Sequence, residues 1–167
     1  LYETIIPHRD FTIKTRSRPP LGTGNRHFTG LSHDDSMPQT SDVDNYRRLI
    51  THFREKQQLT AQRYNSYEYL ECSKETDTLL ISYGALSRIA YYFKNDFALY
   101  RPIRMFPIVE EIKIIASRYK RILIVEMNMG QYAREIERIL HREVEFIPIL
   151  GGRIDLKEIK QKIYGQK

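Results

Sequence analysis

From residue 76 onward, short apolar runs alternate with amphipathic stretches. Thr78-Leu79-Leu80-Ile81-Ser82-Tyr83 is the first run. A short apolar run bounded by turn signals reads as a buried strand. Gly84 follows, then a helical pattern to about Phe93. Phe97-Ala98-Leu99-Tyr100 is a second strand, which Arg101-Pro102 breaks. Pro107 is placed to start a helix reaching about Tyr119, because proline suits a first helical position. Arg121-Ile122-Leu123-Ile124-Val125-Glu126 is the third strand, and Asn128-Met129-Gly130 turns the chain into a helix from Gln131 to about Leu140. Glu143-Val144-Glu145-Phe146-Ile147-Pro148 is the fourth. Gly151-Gly152 turns, and Asp155 can cap a last helix from Leu156 to about Tyr164.

Strands with continuous apolar runs, each followed by an amphipathic helix, imply a parallel sheet covered on both faces. The predicted fold is therefore α/β: a small, open, doubly wound, mainly parallel sheet with helices on both faces.

Upstream the pattern differs. Val43, Tyr46, Leu49, Ile50 and Phe53 share one face of a helix over 42–58, with Ser41 and Asp42 as cap candidates and Gln57, Gln58 and Thr60 at its end. Residues 60–74 read as a tyrosine-rich connector. Residues 1–40 carry Arg18-Pro19-Pro20-Leu21-Gly22-Thr23-Gly24 and Ser36-Met37-Pro38-Gln39-Thr40, which oppose helix and strand alike. So long an irregular stretch is unusual inside a compact domain. It is expected to lie on a neighbouring domain or subunit and to order only in an assembly. The expected organisation is an extended arm, helix and linker over 1–75, leading from an absent upstream domain, and a compact α/β domain over 76–167. Leu1 is not a methionine, so the chain is expected to belong to something longer.

Composition narrows the classes. In 167 residues, 27 Lys and Arg face 21 Asp and Glu, a formal charge of +6. The basic residues are scattered, which fits a solvated surface better than a nucleic-acid footprint. No apolar run approaches the ~20 residues of a membrane span, and no secretory leader is evident. Cys72 is the single cysteine, so no internal disulfide forms and a cytoplasmic location is expected.

Candidate chemistry concentrates at two strand-to-helix turns, Ser82-Tyr83-Gly84-Ala85 and Glu126-Met127-Asn128-Met129-Gly130-Gln131. Open parallel sheets collect ligands at such places. Neither turn is a dinucleotide fingerprint, and the chain has no phosphate-binding P-loop or nucleophile elbow. His33-Asp34-Asp35 lacks converging partners for a metal. Cys72 reads as a lone, partly buried thiol. Glu110-Glu111 suits the start of a helix without catalysis. Glu126, at a strand end, either faces a functional rim or bonds to a neighbouring turn. Arg101-Pro102-Ile103-Arg104 with Phe106-Pro107 forms a basic, apolar loop better suited to a partner than to an anion, having no nest of glycines. The residues describe a scaffold with a rim, without a self-contained active site.

Several motifs occur together and in order: Thr29-Gly30-Leu31-Ser32-His33-Asp34 followed by Pro38-Gln39-Thr40, then Tyr83-Gly84, Tyr100-Arg101-Pro102-Ile103 with Phe106-Pro107, Val125-Glu126-Met127-Asn128-Met129-Gly130-Gln131, and Gly151-Gly152. On these the chain resembles the carboxyl-terminal part of the alpha subunit of 2-oxoacid:ferredoxin oxidoreductases, closest to the 2-oxoglutarate (KorA-like) branch. The resemblance runs from about His27 to Gly152. It implies a transketolase carboxyl-terminal-type domain in an enzyme that oxidatively decarboxylates a 2-oxoacid, makes an acyl-CoA with coenzyme A and reduces ferredoxin.

The resemblance further implies thiamine diphosphate and an iron–sulfur cluster in the complex, both bound outside this segment. It implies an upstream pyrimidine-binding domain and a beta subunit as partners. With one cysteine the chain cannot hold a four-cysteine cluster. No catalytic or metal residue is transferred to it, and alone it is expected to be inactive. Gly84, Arg101, Asn128, Gly130 and Gln131 are the candidates for contacts to another subunit or domain. The segment departs from the family after Gly84, where Tyr91, Tyr92 and Phe93 with Lys94-Asn95-Asp96 leave a short crossover. Two other readings stand beside it: an independent nucleotide- or phosphate-binding module, and a transketolase-type component without ferredoxin.

Overall fold

The computed structural model describes Pro20, residues 42–64 and residues 66–165. The motif over residues 29–40 and the expected arm over 1–40 lie outside the described residues, Pro20 excepted. The chain divides into two compact units, Leu1–His52 and Phe53–Lys167.

Helix α1 spans Val43–Arg63. Asp42 caps it, its Oδ1 accepting from the amides of Asp44 at 3.0 Å and Asn45 at 2.9 Å. Such a cap satisfies amides that have no partner inside the helix. The helix runs past its expected end near residue 58. Thr60 bonds its hydroxyl back to the Lys56 carbonyl at 2.7 Å, so a residue read as a stop is accommodated inside the helix.

The second unit is built on five strands: β1 Tyr67–Leu70, β2 Thr78–Ser82, β3 Ala98–Pro102, β4 Arg121–Glu126 and β5 Glu145–Pro148. Their order in the sheet is β1-β3-β2-β4-β5. The last four are mutually parallel, and β1 pairs antiparallel with β3. The expected mainly parallel, doubly wound sheet is present. The antiparallel edge strand corrects the reading of 60–74 as a connector throughout. β1 is held from the side: Tyr67 stacks on Tyr100 at 5.2 Å between centroids, and the Tyr69 and Tyr119 hydroxyls share a hydrogen bond of 2.5 Å.

The two faces follow strand alternation. Leu79, Ile81, Tyr100, Ile122 and Ile124 point to one side. There they meet α3 (Glu111–Ala116) and α4 (Gln131–Leu140) through Ile112, Ile115, Tyr132 and Ile136. Leu80, Leu99, Leu123, Val125 and Ile147 point to the other. There α2 (Ala85–Ala90), a 3₁₀ turn at Tyr91–Phe93 and α5 (Leu156–Tyr164) close over them through Leu86, Phe93, Ile159 and Ile163. Because β2 and β4 carry such residues on both sides, they are the buried centre of the sheet. The short crossover after Gly84 places Phe93 in the core at 1% exposure.

One helix is shorter than its pattern suggests. Pro107 does not start α3, which begins at Glu111. Arg104 organises the loop that precedes it. Its guanidinium donates to the carbonyls of Pro107 at 2.5 Å and Ala61 at 3.2 Å, and its Nε to that of Tyr64 at 2.7 Å. The Pro107 carbonyl thus belongs to a loop held by Arg104. By contrast, α4 and α5 span the residues expected. Asp155 caps α5 through the Lys157 amide at 2.8 Å.

Candidate functional site at the carboxyl end of the sheet

The strand order reverses between β2 and β4. From β2 the chain steps to β3 on one side, and from β3 it crosses to β4 on the other. In open α/β sheets this switch point opens a crevice at the carboxyl ends of the strands. The two turns singled out in the sequence leave β2 and β4 there. The structure brings Gly84, Asn128, Gly130 and Gln131 to this rim. Arg101 is also at the carboxyl end, but on β3, with β2 between it and β4. It pairs with Glu68 of β1 at 3.1 Å.

The crevice is closed by the chain's own side chains. The Tyr83 hydroxyl donates to the Glu126 carboxylate at 2.6 Å. The Asn128 side-chain amide donates to the Tyr83 oxygen at 2.7 Å. Glu126 also accepts from the backbone amides of Tyr132 at 3.3 Å and Ala133 at 3.4 Å, in the first turn of α4. At 1% exposure it is a buried carboxylate, and these donors satisfy it. Of the two expectations for Glu126, a bond to the neighbouring turn is what the structure contains.

This geometry has an electrostatic meaning. A helix amino terminus attracts anions because its first amides have no internal partners. In α4 two of those amides face Glu126. An internal carboxylate holds the place that a phosphate oxygen would take. Burial, and after it the bond to Glu126, push the Tyr83 phenol well above its ordinary range. Tyr83 thus remains a neutral donor to the carboxylate at any physiological pH. Tyr132 lies edge-on to Tyr83 at 5.1 Å and completes the packing.

Gly130 shapes the second turn. Its φ of 87° is left-handed, and a Cβ there would stand 3.3 Å from the Phe146 ring. Gly84 has φ 58° at the start of α2. These glycines set backbone direction, whereas Asn128 and Gln131 present exposed side chains. Tyr83 and Glu126 are not among the five contact candidates that the sequence puts forward. Their common signal is position, since each stands where a central strand ends.

Among the described residues no group of three or more His, Cys, Asp or Glu is placed to hold a metal ion. Cys72 is partly buried. One cysteine in the whole chain does not fit the donor set of a four-thiolate cluster. No described helix is long and apolar enough to cross a membrane.

No protein-family profile matches the chain. Individual proteins do. The 2-oxoglutarate synthase subunit KorA of Methanothermobacter marburgensis is 32% identical over 97% of this chain and 46% of its own length. The subunit of that name from Methanothermobacter thermautotrophicus is 33% identical over 84% of this chain and 40% of its own. That of Methanocaldococcus jannaschii is 26% identical over 88% and 42%. The chain therefore spans less than half the length of the curated relatives it matches. Among solved structures, the 2-oxoglutarate:ferredoxin oxidoreductase of Magnetococcus marinus, with 2-oxoglutarate, coenzyme A and succinyl-CoA bound, shares the fold. Its TM-score is 0.65 at 18% identity, over 89% of this chain and 28% of that one.

Proposed function

We propose that this chain, a homologue of the KorA subunits of 2-oxoglutarate synthase, is the assembly portion of such a subunit in a 2-oxoglutarate:ferredoxin oxidoreductase. The observation that carries the reading is 32% identity sustained over 97% of the chain. The fold shared with a 2-oxoglutarate:ferredoxin oxidoreductase agrees with it. The enzyme would oxidatively decarboxylate 2-oxoglutarate to an acyl-CoA and pass the electrons to ferredoxin. In this reading thiamine diphosphate and the iron–sulfur chemistry reside on other parts of the complex; the chain's single cysteine does not match a four-thiolate cluster.

In this reading the residues before β1 lead from the pyrimidine-binding portion of the subunit, and the five-stranded sheet from β1 onward, with its helices, forms the α/β domain. The carboxyl rim, with Gly84, Arg101, Asn128, Gly130 and Gln131, meets another domain or the beta subunit. Asn128 and Gln131 supply the contacts, and the glycines set the turns that present them. The independent phosphate-binding reading is weakened by Glu126, which already faces the α4 amides.

The native, full-length polypeptide tests this. It should purify with a second subunit, thiamine diphosphate and iron–sulfur clusters, and reduce ferredoxin only when both 2-oxoglutarate and coenzyme A are supplied. A polypeptide that purifies alone and lacks this activity would overturn the assignment. Replacing Asn128 and Gln131 together by alanine should weaken assembly of the complex more than it lowers the unfolding midpoint.

A further inference from the structure

We draw no further inference here: the strongest candidate, the outer edge of β1, where the backbone groups of Tyr67 and Tyr69 face away from β3, carries nothing, because nothing in the structure shows whether a segment of this chain, a second copy or a partner covers it.

Discussion

Tyr83 and Glu126 lie 43 positions apart in sequence and 2.6 Å apart in space, hydroxyl to carboxylate. The bond ties the end of β2 to the end of β4, the two strands between which the sheet reverses direction. It also completes the donors around a carboxylate that faces the first turn of α4. The rim is thus a fixed surface, with the place of a helix-bound anion already filled from within.

Removing the phenolic donor should therefore cost stability. A hydrogen bond to a buried charged group is worth about 1.5–3 kcal/mol. Tyr83→Phe is expected to lose about that much in urea unfolding, with an unchanged dependence on denaturant. Glu126→Gln should be similarly destabilising. A Tyr83→Phe protein with the original midpoint would show that the bond contributes nothing.

The Gly130 turn predicts a second cost. A left-handed conformation penalises an L residue by roughly 1–2 kcal/mol. At Gly130 a methyl would also press on the Phe146 ring at 3.3 Å, whereas at Gly152, with φ 72°, it would meet open space. Gly130→Ala should therefore destabilise more than Gly152→Ala in thermal or urea unfolding. Equal losses would mean that Phe146 yields without cost.

Arg104 offers a local test. Its three carbonyl partners lie on the end of α1, the residue after it and the loop before α3. A lysine carries the same charge without the planar fork. Arg104→Lys should lower stability by about 1–2 kcal/mol. Amide exchange should accelerate over 61–64 and 103–110 while the central strands stay protected.

Acid should weaken the β4–β5 edge. Arg121 grips Glu145 with two bonds, Nε to Oε1 at 2.6 Å and Nη2 to Oε2 at 2.5 Å. Those bonds hold the Glu145 carboxyl below its usual range. A carboxyl with a depressed folded pKa stabilises above its unfolded value, about 4.3, and loses that contribution as pH falls through the folded value. The glutamate side chain is 44% exposed, so solvent screening limits the effect to at most about 1 kcal/mol. Glu145→Gln should be less stable than the parent at pH 7, and the gap should shrink as pH falls below the unfolded value. A gap independent of pH would assign the loss to packing.

Much of the architecture is legible in the order of residues alone. The runs Leu79-Leu80-Ile81 and Ile122-Leu123-Ile124-Val125 are apolar on both faces, which only a central, doubly covered strand requires. The starts of α4 and α5 are marked locally, by Gly130 and Asp155. Elements bounded by local signals of this kind are readable. Those whose fate depends on distant groups are not. Tyr67-Glu68-Tyr69-Leu70 becomes a strand because β3 offers an edge and Tyr100 a ring to stack on. Pro107 starts no helix; it lies in a loop whose carbonyl accepts from Arg104, a partner that local sequence does not reveal.

The sequence by itself determined an α/β chain with a parallel central sheet, strand-to-helix turns after β2 and β4, and similarity to a 2-oxoacid oxidoreductase subunit. Periodicity and motif order are local quantities, and these conclusions need nothing more. Tertiary structure alone decided that Glu126 turns inward to Tyr83 and the α4 amides. It also decided that Arg101 is paired with Glu68, and that Ile103, Phe106, Met129 and Leu150 share one end of the sheet. Each of these depends on which strands become neighbours, and strand order is set by packing across the whole core, which no single stretch of residues encodes.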